Sequence, residues 1–366
     1  MTKLWWAQIK AVIRLEMKKT FFARRGLWIY ILALLPLALF TIQVVVRSHE
    51  QHRSSEIAQQ GTKKLTDQDI HSVQPDMTTQ EVVALLGKPP LHFTWEEDRS
   101  NESGEVSKIP HEEFHYSDGF DDLYVEFAEG KVVSINIHKG LNLPEDSVIF
   151  AGVFQFFYLR LAIFFGCLGI FMNLFRGEIL DKSLHFYFLA PIRRDVLMVG
   201  KFLAGLLATC VIFVTSEALQ IIVFTSQFNP NLRDLYLYQN HGLAQSFMYL
   251  GVTALACLGY GAFFLAAGML FRNPILPAAG ILVWEAVNPF LPALLKKFSV
   301  IYYLRSLCPV DIPTPPGTPP LMTLLVSNPD PVSAPVAILG IVAVSLLVLY
   351  VSSLQVRRLE INYTTE

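Results

Sequence analysis

Six long apolar runs dominate this chain, and their length most constrains what it can fold into. A helix needs about 20 consecutive, predominantly apolar residues to cross the hydrocarbon core of a bilayer. A soluble core buries one or two such runs, but not six that are separated by polar breaks. The sequence therefore predicts an α-helical polytopic membrane protein with six transmembrane helices. The runs are Leu27–Val46, Ile149–Phe175, Phe202–Thr225, Ser246–Phe271, Ile275–Leu295 and Val332–Leu354.

The two sides of the predicted membrane differ in charge. If the N-terminus is inside, the cytoplasmic segments contain fifteen Lys and Arg against six Asp and Glu. The segment 47–148 contains nine Lys and Arg against twenty Asp and Glu, a formal charge of −11. Positive residues near the ends of spans stay in the cytoplasm. Both termini are therefore expected in the cytoplasm and 47–148 outside, with the lipid bilayer and no nucleic acid as the partner of the basic residues.

The residues before the first apolar run form an amphipathic pattern. At about 100° per residue, apolar side chains gather on one side of a helix and the cations on another, which predicts an interfacial helix. The apolar side contains Trp5, Trp6, Ile9, Val12, Ile13 and Met17, with Glu16 at its edge. The run Leu27–Val46 is too long for a signal peptide and lacks a small-residue cleavage site. Residues 1–46 are thus predicted to form this helix and a retained first span.

An α+β extracytoplasmic domain is predicted between the first two spans, at residues 47–148. The segment 76–89 begins with helix-capping residues and ends in a Gly and then a Pro, which predicts a short helix. Farther on, 123–128 and 131–137 alternate between apolar and polar residues on either side of a Glu-Gly turn, which predicts a β-hairpin. The insert has no cysteine, so it must be held together by packing.

The helix and the hairpin together resemble the BamE-type lipoproteins of outer-membrane assembly. In those proteins a helix that ends in Leu-Leu-Gly-x-Pro precedes a short antiparallel sheet; here the signature lies at residues 85–89, and the resemblance covers about 66–138. The lipidated N-terminal cysteine is absent, and the domain is tethered between two spans. The resemblance implies a bacterial envelope and a protein- or ligand-binding module, whereas a role in outer-membrane assembly does not carry over.

One motif in the insert points to a different class of function. His111, Glu112 and His115 match H-E-x-x-H, which on a helix places two zinc ligands and a general base together. Pro110 precedes the motif and a Ser-Asp-Gly sequence follows it, so too few residues remain for that helix. On a strand, Glu112 would point away from both histidines. We therefore expect no metal site, and a membrane-anchored envelope metalloprotease is the alternative.

The loop between the second and third runs, residues 176–201, carries the strongest family signal. It has a glutamate after the second span, then a serine, a leucine, a proline, a basic pair, and Gly-Lys at the opening of the third span. These residues are Glu178, Ser183, Leu189, Pro191, Arg193, Arg194, Gly200 and Lys201. The arrangement resembles the cytoplasmic coupling loop of type-2 ABC transporter permeases. The N-terminal interfacial helix, the six spans and the cytoplasmic N-terminus are similar to that family as well.

The resemblance implies a permease subunit of an ATP-binding cassette exporter in the bacterial cytoplasmic (inner) membrane. Separate ABC ATP-binding subunits would dock on the 176–201 loop, and a second permease copy or a homologue would complete the pathway for an unknown exported substrate. The loop is apolar as well as charged, which suits docking into a partner's groove. An ordinary basic connector is the alternative for the loop, and a non-transporting scaffold that displays the insert is the alternative for the chain.

Motifs for catalysis by the chain itself are missing. The sequence contains no G-x-x-x-x-G-K-[ST] phosphate loop and no G-x-S-x-G nucleophile elbow. We therefore expect that the chain is not an enzyme and holds no cofactor, and that a partner subunit hydrolyses ATP.

Charged residues also lie deep inside apolar runs, where an unpaired charge costs several kcal/mol. They are Arg160, Glu217 and Glu285. A rise of about 1.5 Å per residue puts Arg160 and Glu285 at similar depth and Glu217 nearer the outer surface. We expect Arg160 to pair with Glu285 and Glu217 to line the outer half of the translocation route. A static pair that only fixes helix packing is the alternative.

Overall fold

The computed structural model describes residues 2–22, 26–100, 106–119, 121–180, 192–271, 275–313 and 332–357. The chain divides into two compact units. Unit 1 comprises Met1–Phe40 and Ser147–Glu366, and unit 2 comprises Thr41–Asp146. Unit 2 overlaps residues 47–148 and begins at Thr41, inside the second helix, which continues without a break from Leu27 to Gln60.

Helices make up most of the chain. In chain order they are α1 (Thr2–Phe22), α2 (Leu27–Gln60), α3 (Asp67–Ile70), α4 (Thr79–Leu86), α5 (Leu143–Gly152), α6 (Phe164–Leu180), α7 (Arg194–Ser226), α8 (Pro230–Asp234), α9 (Gly242–Leu270), α10 (Ile275–Val287), α11 (Ala293–Lys296), α12 (Val300–Leu307) and α13 (Ala334–Arg357). π-Helical segments occupy Val153–Ile163, between α5 and α6, and Leu235–Gln239, after α8. The predicted helix before the first span is confirmed as α1.

Five helical segments within the described ranges are long and apolar enough to cross a membrane. They are Leu27–Gln60, Leu143–Phe175, Arg194–Ser226, Gly242–Leu270 and Ala334–Val356. Many of their large apolar side chains are exposed, among them Leu39, Ile222 and Leu339. Exposed apolar surface of this extent is what a lipid solvent accommodates. These helices give the chain the architecture of a multi-pass helical membrane protein.

The fifth apolar run, 275–295, does not form one continuous helix. Its first part, α10, has 13 residues, or about 20 Å at the α-helical rise, against about 30 Å for the hydrocarbon core. Helical structure then tightens into a 3₁₀ turn at Asn288–Phe290 and stops before α11. Pro289 and Pro292 account for the break, because proline lacks the N–H that continues a helix. Six full-length spanning helices are therefore not confirmed.

Helix α9 occupies the centre of unit 1 and packs against α6, α7 and α13. Small residues allow the close approach. A Cβ atom built on Gly268 of α9 would lie 3.0 Å from the Cα atom of Met172 in α6, so a larger residue would press against the α6 backbone at this crossing. Small residues commonly permit such close approach in membrane helix pairs.

Unit 2 contains a four-stranded antiparallel sheet in the order β1-β2-β3-β4. The strands are β1 (Leu91–Ser100), β2 (Val106–Ser117), β3 (Asp122–Ala128) and β4 (Lys131–His138). Strands β3 and β4 form the predicted hairpin. Glu129 and Gly130 at its turn have φ angles of 52° and 80°, the left-handed conformation that a tight two-residue turn requires.

The short predicted helix of unit 2 is present as α4. Thr78 caps its N-terminus: the Thr78 N–H donates to Glu81 Oε2 at 2.8 Å, and the Glu81 N–H donates back to Thr78 Oγ1 at 3.4 Å. This reciprocal pair is a capping box. Gly87 ends the helix with a φ angle of 87°, and its carbonyl accepts a hydrogen bond from Tyr116 Oη at 3.0 Å. The helix is thereby attached to the sheet.

The two faces of the sheet have different characters. One face builds the hydrophobic core with α3 and α4; the buried residues are Leu65, Ile70, Val73, Val82, Leu86, Phe114, Tyr116, Leu123, Val125, Phe127 and Val132. Because side chains alternate along a strand, the intervening residues lie on the opposite face. That face carries histidines, carboxylates and Tyr124. The sheet therefore has an apolar side, which forms the core of the unit, and a side with polar and aromatic residues, which is not part of that core.

Candidate functional site

A fully buried lysine, Lys201, lies at the centre of a charge cluster in unit 1. Its ammonium group donates three hydrogen bonds: to Glu16 Oε1 at 2.6 Å, to Glu178 Oε2 at 2.7 Å and to the Leu174 carbonyl at 2.9 Å. An ammonium group has three donors, so all of them are used. The cluster therefore ties α1, the end of α6 and the start of α7 together through one side chain.

Local sequence explains how these helices come close enough. Gly200 immediately precedes Lys201, and a Cβ atom built on it would lie 3.0 Å from Cβ of Val12 in α1. Glycine thus lets α1 lie directly against α7. Val12 and Glu16 are one helical turn apart on α1 and both are buried. The Gly-Lys pair that opens the third span therefore has two roles: the glycine admits α1 and the lysine binds its carboxylate.

Lys19 extends the cluster toward the surface. Its ammonium group donates to Glu178 Oε1 at 2.9 Å and is about half exposed. Burial opposes ionisation of Glu178, but the charges of Lys201 and Lys19 outweigh it and hold the pKa of this carboxyl below its usual value. We call Glu16, Lys19, Glu178 and Lys201 the Lys201 cluster. Because its charges are paired and hydrogen-bonded, it holds its helices in one arrangement.

The structure places the predicted coupling residues as follows. Glu178 is buried inside the Lys201 cluster. Arg193 is exposed at the N-terminus of α7, where its guanidinium lies 5.1 Å from the ring centroid of Trp5 in α1 and 3.5 Å from Asp195 Oδ2. Arg194 begins the helix and is partly buried. Ser183, Leu189 and Pro191 lie outside the described residues.

Sequence reasoning did not find the pairing partners of Glu178. Lys201 appeared in the family pattern without a role, and Glu16 appeared as a flaw in the apolar side of α1. That flaw was the available signal, because an acidic residue on the buried side of a helix needs a cation, hydrogen-bond donors or a proton to offset its burial. The identity of the partner, 185 positions away in the chain, was not contained in any local pattern.

Glu285, in α10, has a different partner from the one expected. Its carboxylate accepts hydrogen bonds from Ser299 Oγ at 2.6 Å, from the Val300 N–H at 3.0 Å and from the Ile301 N–H at 2.9 Å. These groups form the N-terminus of α12, whose unpaired N–H groups and positive dipole end favour a carboxylate. The direct contacts of Glu285 are thus made with the start of α12, where the chain turns back after Pro289, and its expected interaction with Arg160 is a longer-range electrostatic one.

Arg160 lies in the π-helical segment of the second span. Its guanidinium lies 5.1 Å from the ring centroid of Phe156, one turn earlier in the same segment. This is a cation–π contact, which stabilises a cation in a low-dielectric setting. π-Helical segments occur often at functional sites, and this one turns Arg160 toward an aromatic ring.

Glu217 is completely buried within α7. Neither of its carboxyl oxygens has a hydrogen-bond partner among the described residues. An ionised carboxylate without a partner is too costly to bury, so such a group takes up a proton instead. The hydroxyls of Tyr249 and Thr253, one turn apart on α9, are also buried without a partner. Helices α7 and α9 pack against each other, and the interior of unit 1 therefore contains unsatisfied oxygen atoms on both.

Because Glu217 has no hydrogen-bond partner within the described part of the chain, replacing it with glutamine should be tolerated. We expect Glu217→Gln to change the free energy of unfolding by less than about 1.5 kcal/mol, as shape-conserving replacements do. Glu178→Gln is the matched control: the same chemical change there weakens contacts to Lys201 and Lys19 and should cost clearly more. Thermal unfolding in detergent micelles compares the two. A larger loss for Glu217→Gln than for Glu178→Gln would show that Glu217 is ionised and paired.

The H-E-x-x-H match lies on strand β2, not on a helix. His111 Nδ1 lies 3.1 Å from Glu126 Oε1 and its Nε2 lies 3.1 Å from Glu97 Oε2, while Glu112 lies on the other face, 3.5 Å from His92 Nε2. Four strand steps of about 3.3 Å separate His111 and His115 by about 13 Å. Zinc–nitrogen bonds are about 2 Å long, so these two histidines cannot bind one zinc ion in this strand.

At two places in unit 1, the Lys201 cluster and the Glu285 cap of α12, a charged side chain makes several hydrogen bonds. Each joins helices that are distant in the sequence and holds them in a fixed arrangement. Glu178 and Lys201 lie near the two ends of the 176–201 loop, so the hydrogen bond between them connects the end of α6 with α7. No family model matches this chain, and neither a curated protein nor a solved structure is significantly similar to it.

Proposed function

We propose that this chain is the permease subunit of an ATP-binding cassette exporter of the type-2 class. The observation that carries the proposal is the Lys201 cluster. It fastens the two helices that flank the 176–201 loop to each other and to α1. A force applied to this loop by a partner would therefore move α1, α6 and α7 as one body, which is what coupling of ATP hydrolysis to the spans requires.

The proposed topology has six crossings with both termini in the cytoplasm, in the bacterial inner membrane. Five crossings are the long apolar helices, and the remaining one is the broken segment from α10 to Lys297. Lys and Arg are concentrated near the ends of spans on the proposed cytoplasmic side, and the acidic unit 2 lies outside. A broken helix at membrane depth is tolerated where protein surrounds it. The Glu285 cap satisfies backbone N–H groups at this break.

The exporter would contain two permease copies, or this chain and a homologue, together with two ABC ATP-binding subunits. Closure of the ATP-binding subunits on ATP would push on the 176–201 loops. The spans would then rock between inward-facing and outward-facing states and move an exported substrate. Glu217, buried among the spans, is the proposed polar group on this route, and it would ionise when water or a cationic group of the substrate enters.

The alternative of an envelope metalloprotease has no support from the geometry of β2, where His111 and His115 are too far apart and Glu112 faces away. The alternative of a scaffold that displays unit 2 differs from an exporter in one observable: it needs no ATP-binding partner. Purification of the full chain from its native membrane distinguishes these classes, because an exporter subunit brings an ATP-binding protein with it.

Reversal of the basic pair at the start of α7 tests the coupling surface. We expect Arg193→Glu combined with Arg194→Glu to weaken binding of the ATP-binding subunit at least tenfold, about 1.4 kcal/mol, because both side chains lie beside the loop and Arg193 is exposed. The measurement is the ATPase activity that copurifies with the chain in nanodiscs.

Lys296→Glu with Lys297→Glu is the matched control, since it reverses two adjacent cations on the proposed outer side. It should leave the copurified ATPase activity unchanged, and both double variants should insert into the membrane normally. Equal ATPase activity in the two double variants would contradict the coupling role and favour an ordinary basic connector.

A further inference from the structure

Unit 2 contains a cavity of about 440 Å³ that the proposed transport function does not use. It lies between the part of α2 that belongs to unit 2 and the polar face of the sheet, with the segment after β4 as a third wall. Its size is within the range of small-molecule binding sites. The question is therefore what chemistry its lining selects.

The residues that line the cavity have a positive formal charge, although the domain as a whole is acidic. Of the nine Lys and Arg in residues 47–148, three line it: Arg47, Arg53 and Lys139. Of the Asp and Glu of this segment that the structure describes, Glu50 and Asp122 line it. With neutral histidines the lining has a formal charge of +1, against −11 for the whole segment. Such a lining favours an anionic ligand.

The buried acidic group of the lining is already compensated. Asp122 Oδ2 accepts a hydrogen bond from Ser54 Oγ at 2.7 Å, and Asp122 Oδ1 lies 3.6 Å from His115 Nε2. Burial opposes ionisation, yet the neighbouring His115, Ser54 and Ser117 side chains hold the pKa of Asp122 below its usual value. Asp122 therefore serves to fix His115 and Ser54 and does not offset the cations at the opening.

The cations differ in how they are held. Arg47 donates to Asp146 Oδ1 at 2.7 Å, which fixes its guanidinium and leaves further N–H donors. Arg53 and Lys139 form no ion pair with a carboxylate in the described part of the chain. One ion-paired guanidinium and two cations that contact no carboxylate directly within the described residues therefore line the same space, together with Glu50.

Three ring side chains in contact with one another form one wall of the cavity. The imidazole of His115 is stacked on the ring of Tyr124 at a centroid distance of 4.1 Å. The ring of His138 packs edge-on against Tyr124 at 5.3 Å. His115 is 2% exposed and is held in place by its stacking on Tyr124. A side chain that is already held by its neighbours lowers the entropic cost of binding.

We propose that this cavity binds a phosphate group, carried either by a lipid head group or by a free phosphate compound. Guanidinium and ammonium donors together match the oxygens of a phosphate. Arg47 is the first residue after the apolar run 27–46, and Lys139 lies shortly before the run 149–175. The cations thus lie next to the predicted spans along the chain, which is why a lipid head group is included as a source.

The test uses the full chain in detergent micelles and two probes. Native mass spectrometry compares binding of phosphatidylglycerol with binding of diacylglycerol, which lacks the phosphate, and ³¹P NMR line broadening measures binding of inorganic phosphate. We expect saturable binding of a phosphate-bearing probe. Arg53→Gln combined with Lys139→Gln should weaken this binding at least tenfold. Both side chains are exposed, so the double variant keeps the fold.

Lys64→Gln combined with Lys131→Gln is the matched control, because it removes the same charge from exposed positions of unit 2 outside the cavity. It should leave binding unchanged. Selective loss of phosphatidylglycerol binding in the cavity variant identifies a lipid source, and selective loss of inorganic phosphate binding identifies a free phosphate compound. No saturable binding of either probe, or equal loss in the two double variants, would overturn the proposal.

Discussion

Replacing Lys201 with methionine is expected to lower the free energy of unfolding by about 3–5 kcal/mol, the cost of breaking a buried ion pair by removing one partner. Glu16 and Glu178 then remain buried and face each other without the cation that both contact at 2.6 and 2.7 Å. The loss should be largest at neutral pH. The pKa of Glu178 is lower in the folded protein than in the unfolded chain. Its ionised carboxylate therefore stabilises the fold fully above the unfolded pKa, and this contribution is lost as the pH falls through the folded pKa.

Two further variants separate the burial of charge from the loss of packing. Lys19→Met removes a half-exposed partner of Glu178 and should cost less than about 1 kcal/mol, as exposed ion pairs do. Adding Glu16→Gln and Glu178→Gln to Lys201→Met should restore most of the stability, because no unpaired charge then remains buried. Unfolding by heat or by denaturing detergent measures all three. A cost below about 1 kcal/mol for Lys201→Met would mean that the cluster does not hold the helices together.

The second large effect is expected at Glu285. Glu285→Ala removes the acceptor of three hydrogen bonds and leaves the Val300 and Ile301 N–H groups buried without partners. Hydrogen bonds to a charged group contribute about 1.5–3 kcal/mol each and are not additive, so we expect a loss of about 3 kcal/mol or more. Glu285→Gln keeps an acceptor oxygen and should lose less. Hydrogen exchange of the α12 amides should rise in step with the lost stability.

A double-mutant cycle distinguishes this cap from the ion pair that depth alone predicts. If the start of α12 is the main partner of Glu285, the coupling energy between Arg160→Gln and Glu285→Gln should stay below about 1 kcal/mol, because the two charges interact only at longer range. For the same reason, exchanging the two charges should restore neither folding nor transport. A coupling energy above about 1 kcal/mol between the two positions would contradict the cap as the main partner of Glu285.

The comparison of sequence with structure is clearest in unit 2. The capping box at Thr78 and Glu81, the helix end at Gly87 and the hairpin turn at Glu129-Gly130 are all local features, and the sequence predicts each of them. Strand alternation also predicts which side of β2 carries Glu112. The cavity was not predictable, because Arg53, His115 and Lys139 come from three elements whose packing no local pattern describes.

For unit 1, hydropathy by itself indicates a multi-pass helical membrane protein, because a helix needs about 20 consecutive apolar residues to cross a bilayer and the chain contains several such runs. Periodicity also determines that the residues before the first span form a helix. The broken fifth run shows the limit of hydropathy: its apolar composition is continuous, whereas its two prolines and the returning α12 divide it.

Only the tertiary structure decides which charges meet. Lys201 joins Glu16 and Glu178, and Glu285 joins the end of α12, across separations that range from 14 to 185 positions. The sequence shows that a buried charge needs a partner. It does not show which one, because several candidate partners lie at a similar depth along the predicted spans. The choice among them follows from close packing at positions such as Gly200 and from the direction in which α12 returns. These depend on the whole fold, since contact free energies are decided by three-dimensional distances and not by positions along the chain.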